Sequence, residues 1–221
     1  MRPAVKLALA TAAYGIVHSM LASRAAKRVG ARAFGERNQR AFYRPFYIVQ
    51  AVLTTGALLL YARQLPARTI YRVRGPAAWL LRAGQSAALL HAVAAAREVG
   101  LARISGLESV LAHLHGREVP VAPVAQGPEL DPRRGSLTSG GPFRWSRHPL
   151  NFSPIPIFWL APHLTTRRLA FNVVATLYLI LGSVHEEVRL REAYGAKYRA
   201  YEKSGVPFFF PGVDAIAASA A

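Results

Sequence analysis

Two short polar blocks near the end of the chain carry the side chains best suited to chemistry. The first is Arg147-His148-Pro149. The second begins at Glu186-Glu187 and continues through Leu190, Arg191, Tyr194, Tyr198 and Tyr201. A guanidinium grips a carboxylate or phosphate with two parallel hydrogen bonds. Imidazole and carboxylate groups move protons, and phenol rings stack on a base or face a cation. Read as one helix from Glu186, the second block places Glu187, Leu190, Arg191, Tyr194, Tyr198 and Tyr201 in a stripe about 80° wide. A plainer reading also exists. Proline is a good helix starter after a basic membrane anchor, a Glu187–Arg191 pair at i,i+4 stabilises any helix, and tyrosines form belts at lipid interfaces. That reading leaves two adjacent acids at the end of an apolar helix unaccounted for, where an acid is costly unless paired or used.

The elements that must position these blocks are membrane-like. The 221 residues are 52% hydrophobic, with a net charge of +17 and a mean hydropathy of +0.18. The apolar residues come in blocks and the charges lie between them, as in a polytopic membrane protein. Five apolar segments stand out, at 4–22, 45–62, 77–96, 150–163 and 169–184. The first is read as a retained anchor rather than a cleaved leader, because it is long and runs into basic residues without a clean small-residue cleavage site. The third is interrupted by Arg82, Gln85 and His91. The fourth, at 14 residues, reaches about 21 Å as a helix, short of a hydrocarbon core of about 30 Å, and Pro154 and Pro156 cut or kink it. The expected fold is all-α, with about five transmembrane helices, the last two forming a hairpin, and a C-terminal cytoplasmic helical segment.

The division follows: transmembrane helices over 1–118, a Pro/Gly-rich loop over 119–146, a cofactor-binding region over 147–212 and a fraying tail over 213–221. Residues 119–143 read as irregular, with turn signals at Leu130-Asp131-Pro132 and Gly140-Gly141-Pro142. Residues 23–41 read as a basic loop. That loop, the one before the hairpin (with Arg133, Arg134, Arg144 and Arg147) and the C-terminal segment share one side if there are five crossings, and the positive-inside rule makes that side cytoplasmic. The arginines Arg63, Arg68, Arg72 and Arg74 run against the pattern. With no cysteine, disulfides and thiolate metal sites are excluded.

A hairpin from Leu150 to Val184 returns the chain to the side it left. His148 and Glu187 then line one pocket together with Arg147. Its guanidinium, acids and aromatic faces suit S-adenosylmethionine, which has a carboxylate, an amine, a ribose, an adenine and a sulfonium.

These blocks resemble the isoprenylcysteine carboxyl methyltransferase and phospholipid methyltransferase superfamily of integral-membrane enzymes. Its pattern is R-H-P-x-Y followed by E-E-x-x-L-x-x-x-[FY]-G-x-x-Y-x-x-Y-x-x-x-V-P-x-x-x-P. The second part is matched at nearly every position by HEEVRLREAYGAKYRAYEKSGVPFFFP, and the likeness covers about the last 75 residues. A weaker likeness, through Val17-His18-Ser19, Ala22, Lys27-Arg28, Gly35-Glu36-Arg37 and Tyr43, is to membrane proteins grouped with methanethiol S-methyltransferases and with nitrite and nitric oxide reduction. Two positions depart from the pattern: Asn151 stands where tyrosine is usual, and Ser153 where glycine is usual. The resemblance implies an S-adenosylmethionine-dependent methyltransferase in a bacterial inner membrane, its site facing the cytoplasm. Arg147, His148, Pro149, Asn151, Glu187, Arg191, Tyr194 and Tyr198 would bind or frame the cofactor, and His148, Glu186 and Arg191 would serve catalysis. No metal is required, and a base is needed only if the nucleophile arrives protonated. The acceptor would be lipophilic, or a small thiol, carboxyl or amine compound, reached from the membrane lipid.

Three other readings compete. His18, His91 and His185 lie in or at the ends of apolar segments and could ligate haem iron. Asn151 and Ser153 would suit a non-catalytic membrane scaffold. A nucleic-acid role is permitted by charge, but attraction of loop arginines to anionic headgroups explains them more simply, so no nucleic-acid partner is expected.

Overall fold

The computed structural model describes residues 1–130 and 135–212. Arg133, Arg134, the Asp131-Pro132 half of the expected turn and the tail 213–221 lie outside the described residues. Among the described residues ten α-helices follow one another: α1 (Pro3–Ala22), α2 (Arg24–Phe34), α3 (Glu36–Gln64), α4 (Gly75–Val99), α5 (Leu101–Ser105), α6 (Leu107–Leu114), α7 (Pro149–Phe152), α8 (Pro154–Trp159), α9 (Thr166–Tyr194) and α10 (Ala196–Lys203). Two short strands, Thr69–Arg72 and His163–Thr165, and a 3-10 turn, Gly141–Arg144, complete the described structure.

The protein is a polytopic helical membrane protein. Helices α1, α3 and α9 are long and apolar enough to cross a bilayer. Their large apolar side chains face outward, among them Leu9, Ile16, Leu53, Leu60, Leu177 and Leu181, as suits a lipid solvent. The 29 residues of α9 extend about 43 Å, beyond a core of about 30 Å. If the apolar part fills the core, Glu186 and the residues after it emerge from it. The first, second, third and fifth apolar segments correspond to α1, α3, α4 and α9. The fourth becomes two short helices, α7 and α8, each starting at a proline.

The chain forms two compact units that interleave along the sequence. One comprises residues 1–70, 101–122 and 165–175. The other comprises 71–100, 123–164 and the residues from Thr176 onward.

In the first unit, α1, α2, α5 and α6 pack around α3. Residues 23–41, expected as a loop, are helical instead. Ser23 caps α2 by accepting from the Ala26 N–H at 3.1 Å, and the alanines and arginines that follow are strong helix formers. Gly35, at φ 80, ends that helix and α3 begins at once. Tyr43 donates to the Leu21 carbonyl at 2.8 Å, and Tyr47 O–H meets His18 Nε2 at 2.5 Å.

In the second unit, α4 packs on α7, α8 and the 3-10 turn. Its contact face recurs at helical spacing: Gly84 under Leu160, Gln85 donating to the Ile157 carbonyl at 2.7 Å, His91 meeting Ser153 at 2.8 Å, and Glu98 beside Gly140. Gln85 and His91, which interrupt the apolar segment in the sequence, are thus held on the helix–helix face. Arg82 lies over the Trp79 ring at 5.1 Å.

The described part of the loop after residue 123 is irregular, as expected, but packs closely. Gly127 lies against buried Leu190, where a Cβ would come within 2.8 Å of a Leu190 methyl. Glu129 is buried. Its backbone pairs with Thr138 (Thr138 N–H to Glu129 O, 2.8 Å).

Candidate functional site

The site is assembled where the start of α7 meets the end of α9. Ser146 prepares it. Its hydroxyl donates to the Phe209 carbonyl at 2.7 Å and accepts from the His148 N–H at 3.1 Å. The Arg147 N–H donates to the Pro207 carbonyl at 2.9 Å. These bonds staple the Pro-Phe-Phe-Phe segment to the residues before α7. Pro149 then starts α7 at its first helical position, where a missing N–H costs nothing.

Glu187 is the hub. It is 3% exposed, and both its oxygens accept from protein donors. Oε1 accepts from Arg147 Nε at 3.0 Å, His148 Nε2 at 2.9 Å and Tyr198 O–H at 2.9 Å. Oε2 accepts from Arg191 Nη2 at 3.1 Å. Four donors satisfy a buried carboxylate. Glu187 therefore holds the neighbouring side chains in place.

His148 is fully buried between two acids: Nδ1 is 3.3 Å from Glu186 Oε2 and Nε2 2.9 Å from Glu187 Oε1. A carboxylate can only accept, so both ring nitrogens carry hydrogen and the ring is an imidazolium. Burial pushes its pKa down, but the hydrogen bonds and charges of Glu186 and Glu187 outweigh this and raise it. An imidazolium has no lone pair with which to take up a proton. Phe208 lies edge-on to the ring at 5.2 Å.

Glu186 receives Asn151 Nδ2 at 2.9 Å on Oε2 and the Gln126 N–H at 3.2 Å on Oε1. Asn151's orientation is fixed by Ser183. The Ser183 hydroxyl donates to the Leu179 carbonyl at 3.0 Å, so it accepts from Asn151 Nδ2 at 2.9 Å. The residue that departs from the tyrosine pattern thus ties α7 to α9 and orients Glu186.

Arg191 bridges the Glu187 carboxylate and Glu202, the latter at 2.6 Å from Nη2 and 2.9 Å from Nε. Its side chain is 49% exposed. Arg147 Nη1 reaches the carbonyls of Glu202 and Val206 at 3.4 Å each. Three carboxylates (Glu186, Glu187, Glu202) thus oppose three cations (Arg147, His148, Arg191), which offsets the desolvation that each charge would otherwise suffer.

The second block is not one helix. Gly195 at φ 53, ψ −121 breaks it, a conformation open to glycine and costly for other residues. Tyr198 and Tyr201 sit on α10 and not on a continued α9 stripe. The turn still brings Tyr198 back onto Glu187 and lets Tyr201 donate to the Phe143 carbonyl at 2.5 Å. Burial and the Glu187 charge push the Tyr198 phenol up, and burial does the same at Tyr201. Both remain hydrogen-bond donors at ordinary pH. Tyr194 points away from this cluster and donates to Glu129 Oε2 at 3.0 Å.

The structure therefore brings together Arg147, His148, Pro149, Asn151, Glu186, Glu187, Arg191 and Tyr198, and directs Tyr194 elsewhere. Sequence reasoning missed Gln126, Ser183, Glu202 and Phe208. Ser183 was findable, since it lies one turn before Glu186 and Glu187. Glu202 depends on the turn at Gly195. Beside the cluster, a cleft of about 590 Å³ is lined by Leu137, Arg144, Lys197, Tyr201, Ser204 and Val206 among others. A smaller one of about 350 Å³ shares Arg144 and reaches Glu98 and Thr138. Of the three histidines weighed as haem ligands, His18 meets Tyr47 in the first unit, His91 meets Ser153 in the second, and His185 is exposed on α9.

The chain is similar to methanethiol S-methyltransferases. It is 34% identical over 73 residues to the methanethiol S-methyltransferase of Pseudomonas deceptionensis, a stretch covering 33% of this chain and 28% of that relative. It is 33% identical over 98 residues (44% of this chain, 30% of the relative) to methanethiol S-methyltransferase 1 of Bradyrhizobium diazoefficiens. It is 36% identical over 61 residues (28% and 25%) to the methanethiol S-methyltransferase of Mycobacterium tuberculosis. These matches span less than a third of each relative's length. The resemblance to membrane methyltransferases is borne out by these relatives. No family model matches the chain, and no solved structure does.

Proposed function

We propose that the protein is an integral-membrane methyltransferase that moves a methyl group from S-adenosylmethionine to a small thiol, with its site at the cytoplasmic face of a bacterial inner membrane. The observation that carries the reading is the convergence of Arg147 and His148 with Glu186 and Glu187, in a protein similar to methanethiol S-methyltransferases. The donor set fits the cofactor. Arg191 is half-exposed while paired, so it can grip a carboxylate. Glu186 keeps part of its carboxylate exposed, so it can accept from an amine or a ribose.

When bound, S-adenosylmethionine supplies an electrophilic methyl on a positively charged sulfur. The protein's own task is alignment and exclusion of water, because transfer is an in-line displacement. Arg191, Glu186 and Asn151 would hold the cofactor, while Glu187, His148 and Tyr198 hold those residues in place. Arg147 keeps the Pro207–Phe210 segment closed over the start of α7. The acceptor would reach the site through the bilayer.

Calorimetric titration of the detergent-purified protein with S-adenosylmethionine, and with S-adenosylhomocysteine alongside, tests the reading. Micromolar binding that Arg191→Ala weakens at least tenfold, together with a methyl thioether in the headspace after adding methanethiol, is expected. A folded preparation that binds neither compound overturns it.

A further inference from the structure

We propose that His91 Nε2 is the base that takes the proton from the thiol acceptor, an inference that rests on the methyltransferase reading. The Ser153 hydroxyl has a single hydrogen. It lies 2.6 Å from the Pro149 carbonyl, which can only accept, so the hydrogen is donated there. Ser153 Oγ must then accept from His91 Nδ1 at 2.8 Å. That bond fixes the Nδ1–H tautomer and leaves the lone pair on Nε2. Nε2 is buried with no hydrogen-bond partner among the described residues. A buried polar atom left unpaired costs stability, which calls for a use.

The surroundings select the substrate. The His91 ring stacks on Trp145 (centroids 5.8 Å apart, 14° between planes) and meets Phe152 edge-on at 6.2 Å. An aromatic wall favours a small apolar thiol over a charged or strongly hydrated nucleophile. The other local bases have other tasks: His148 carries a proton on both nitrogens, and Glu186 accepts from His148, Asn151 and Gln126 and would give its remaining acceptor capacity to the cofactor. Helix α7 and its cap join the two features, because Ser153 ends the helix on which Asn151 faces Glu186. Among titratable groups on the elements packed against α4, Arg144 ends the 3-10 turn and His148 precedes α7. Helix α8 carries none. On α4 itself Glu98 lies about two turns on and faces Gly140.

The step balances. The S–H proton passes to Nε2. The sulfur electron pair forms the new S–CH3 bond, and the methyl's bond to the sulfonium breaks with its electron pair staying on the cofactor's sulfur. The products are a neutral thioether and S-adenosylhomocysteine, and His91 returns its proton to water.

The test compares the full-length wild type with His91→Phe and His91→Gln in detergent micelles, using an alkanethiol and an electron-poor thiophenol that is already ionised at neutral pH. The expected result has four parts. Cofactor binding by calorimetry is unchanged. Alkanethiol methylation falls about a hundredfold. Thiophenol methylation stays within about threefold, and the variants' alkanethiol rate climbs about tenfold per pH unit as hydroxide replaces the base. Nitrogen NMR of histidine-labelled wild type should include an unprotonated Nε2 signal that His91→Gln removes, alongside that of His115, whose Nδ1 donates to the Leu111 carbonyl at 2.7 Å and whose signal should persist in the variant. Equal losses on both thiols, or no loss on either, overturn the inference while leaving the methyltransferase reading intact. A wild type that binds no cofactor overturns both.

Discussion

Glu187 Oε1 lies 2.9 Å from His148 Nε2, with both side chains withdrawn from solvent. The same oxygen also accepts from Arg147 and Tyr198. Removing the carboxylate leaves a buried imidazolium facing a guanidinium with nothing between them. Glu187→Ala should therefore cost about 3–5 kcal/mol of stability, the range for breaking a buried ion pair. The measurement is unfolding in mild detergent. Pairing it with His148→Gln should recover part of the loss, because the second change removes the stranded cation. Strictly additive losses would mean that the two residues do not interact.

The pH dependence has a definite sign. His148 has its folded pKa raised above the usual 6.5. Its contribution to stability is fully present below 6.5 and is lost as pH rises through the raised value. Unfolding temperature should thus decline on the alkaline side of 6.5, and the decline should be shallower in His148→Gln. Identical slopes in the two proteins would show that His148 is not the titrating group.

Tyr198 reaches Glu187 across the turn at Gly195, and its ring is fully buried. Tyr198→Phe keeps the ring and deletes one hydrogen bond to a charged group, a change worth about 1.5–3 kcal/mol. Because Glu187 retains three donors, the cluster should persist and cofactor affinity should fall by less than in Arg191→Ala. Calorimetry on the two variants side by side checks the order.

Much of this site could be read from the sequence, for a topological reason. Two polar blocks flanking one apolar stretch meet again if that stretch folds back, so Arg147 and His148 could be set against Glu186 and Glu187 before any coordinates. The division of roles could not. Whether Glu187 touches a ligand or is filled by four protein donors depends on distances that residue type does not encode. Residues 23–41 looked like a loop because their charges were read for topology, whereas their alanines and arginines, capped by Ser23, favour a helix. His91 looked like an interruption of an apolar segment because hydropathy averages over all faces of a helix. Only the spacing of Gly84, Gln85, His91 and Glu98 marks a single face, and that face has meaning once α7 and α8 are seen against it.

Gly195 is the position where the sequence and the structure part most clearly, and it gives the sharpest backbone test. The run Glu-Ala-Tyr-Gly-Ala-Lys-Tyr keeps a helical period, and a lone glycine does not forbid a helix. Yet Gly195 adopts φ 53, ψ −121 and ends α9. A Cβ there would meet nothing within 4 Å, so any penalty of Gly195→Ala comes from the backbone alone, about 1–3 kcal/mol. The same change at Gly182 makes a control. That residue lies inside α9, its added Cβ would also meet nothing within 4 Å, and alanine should stabilise the helix there by about 0.5–1 kcal/mol. Opposite signs at two equally roomy glycines are the expected outcome of thermal unfolding. If Gly195→Ala proved neutral, α9 and α10 would be able to run on as one helix, Tyr198 would leave Glu187, and the hub that holds Arg147, His148 and Arg191 would lose one of its four donors.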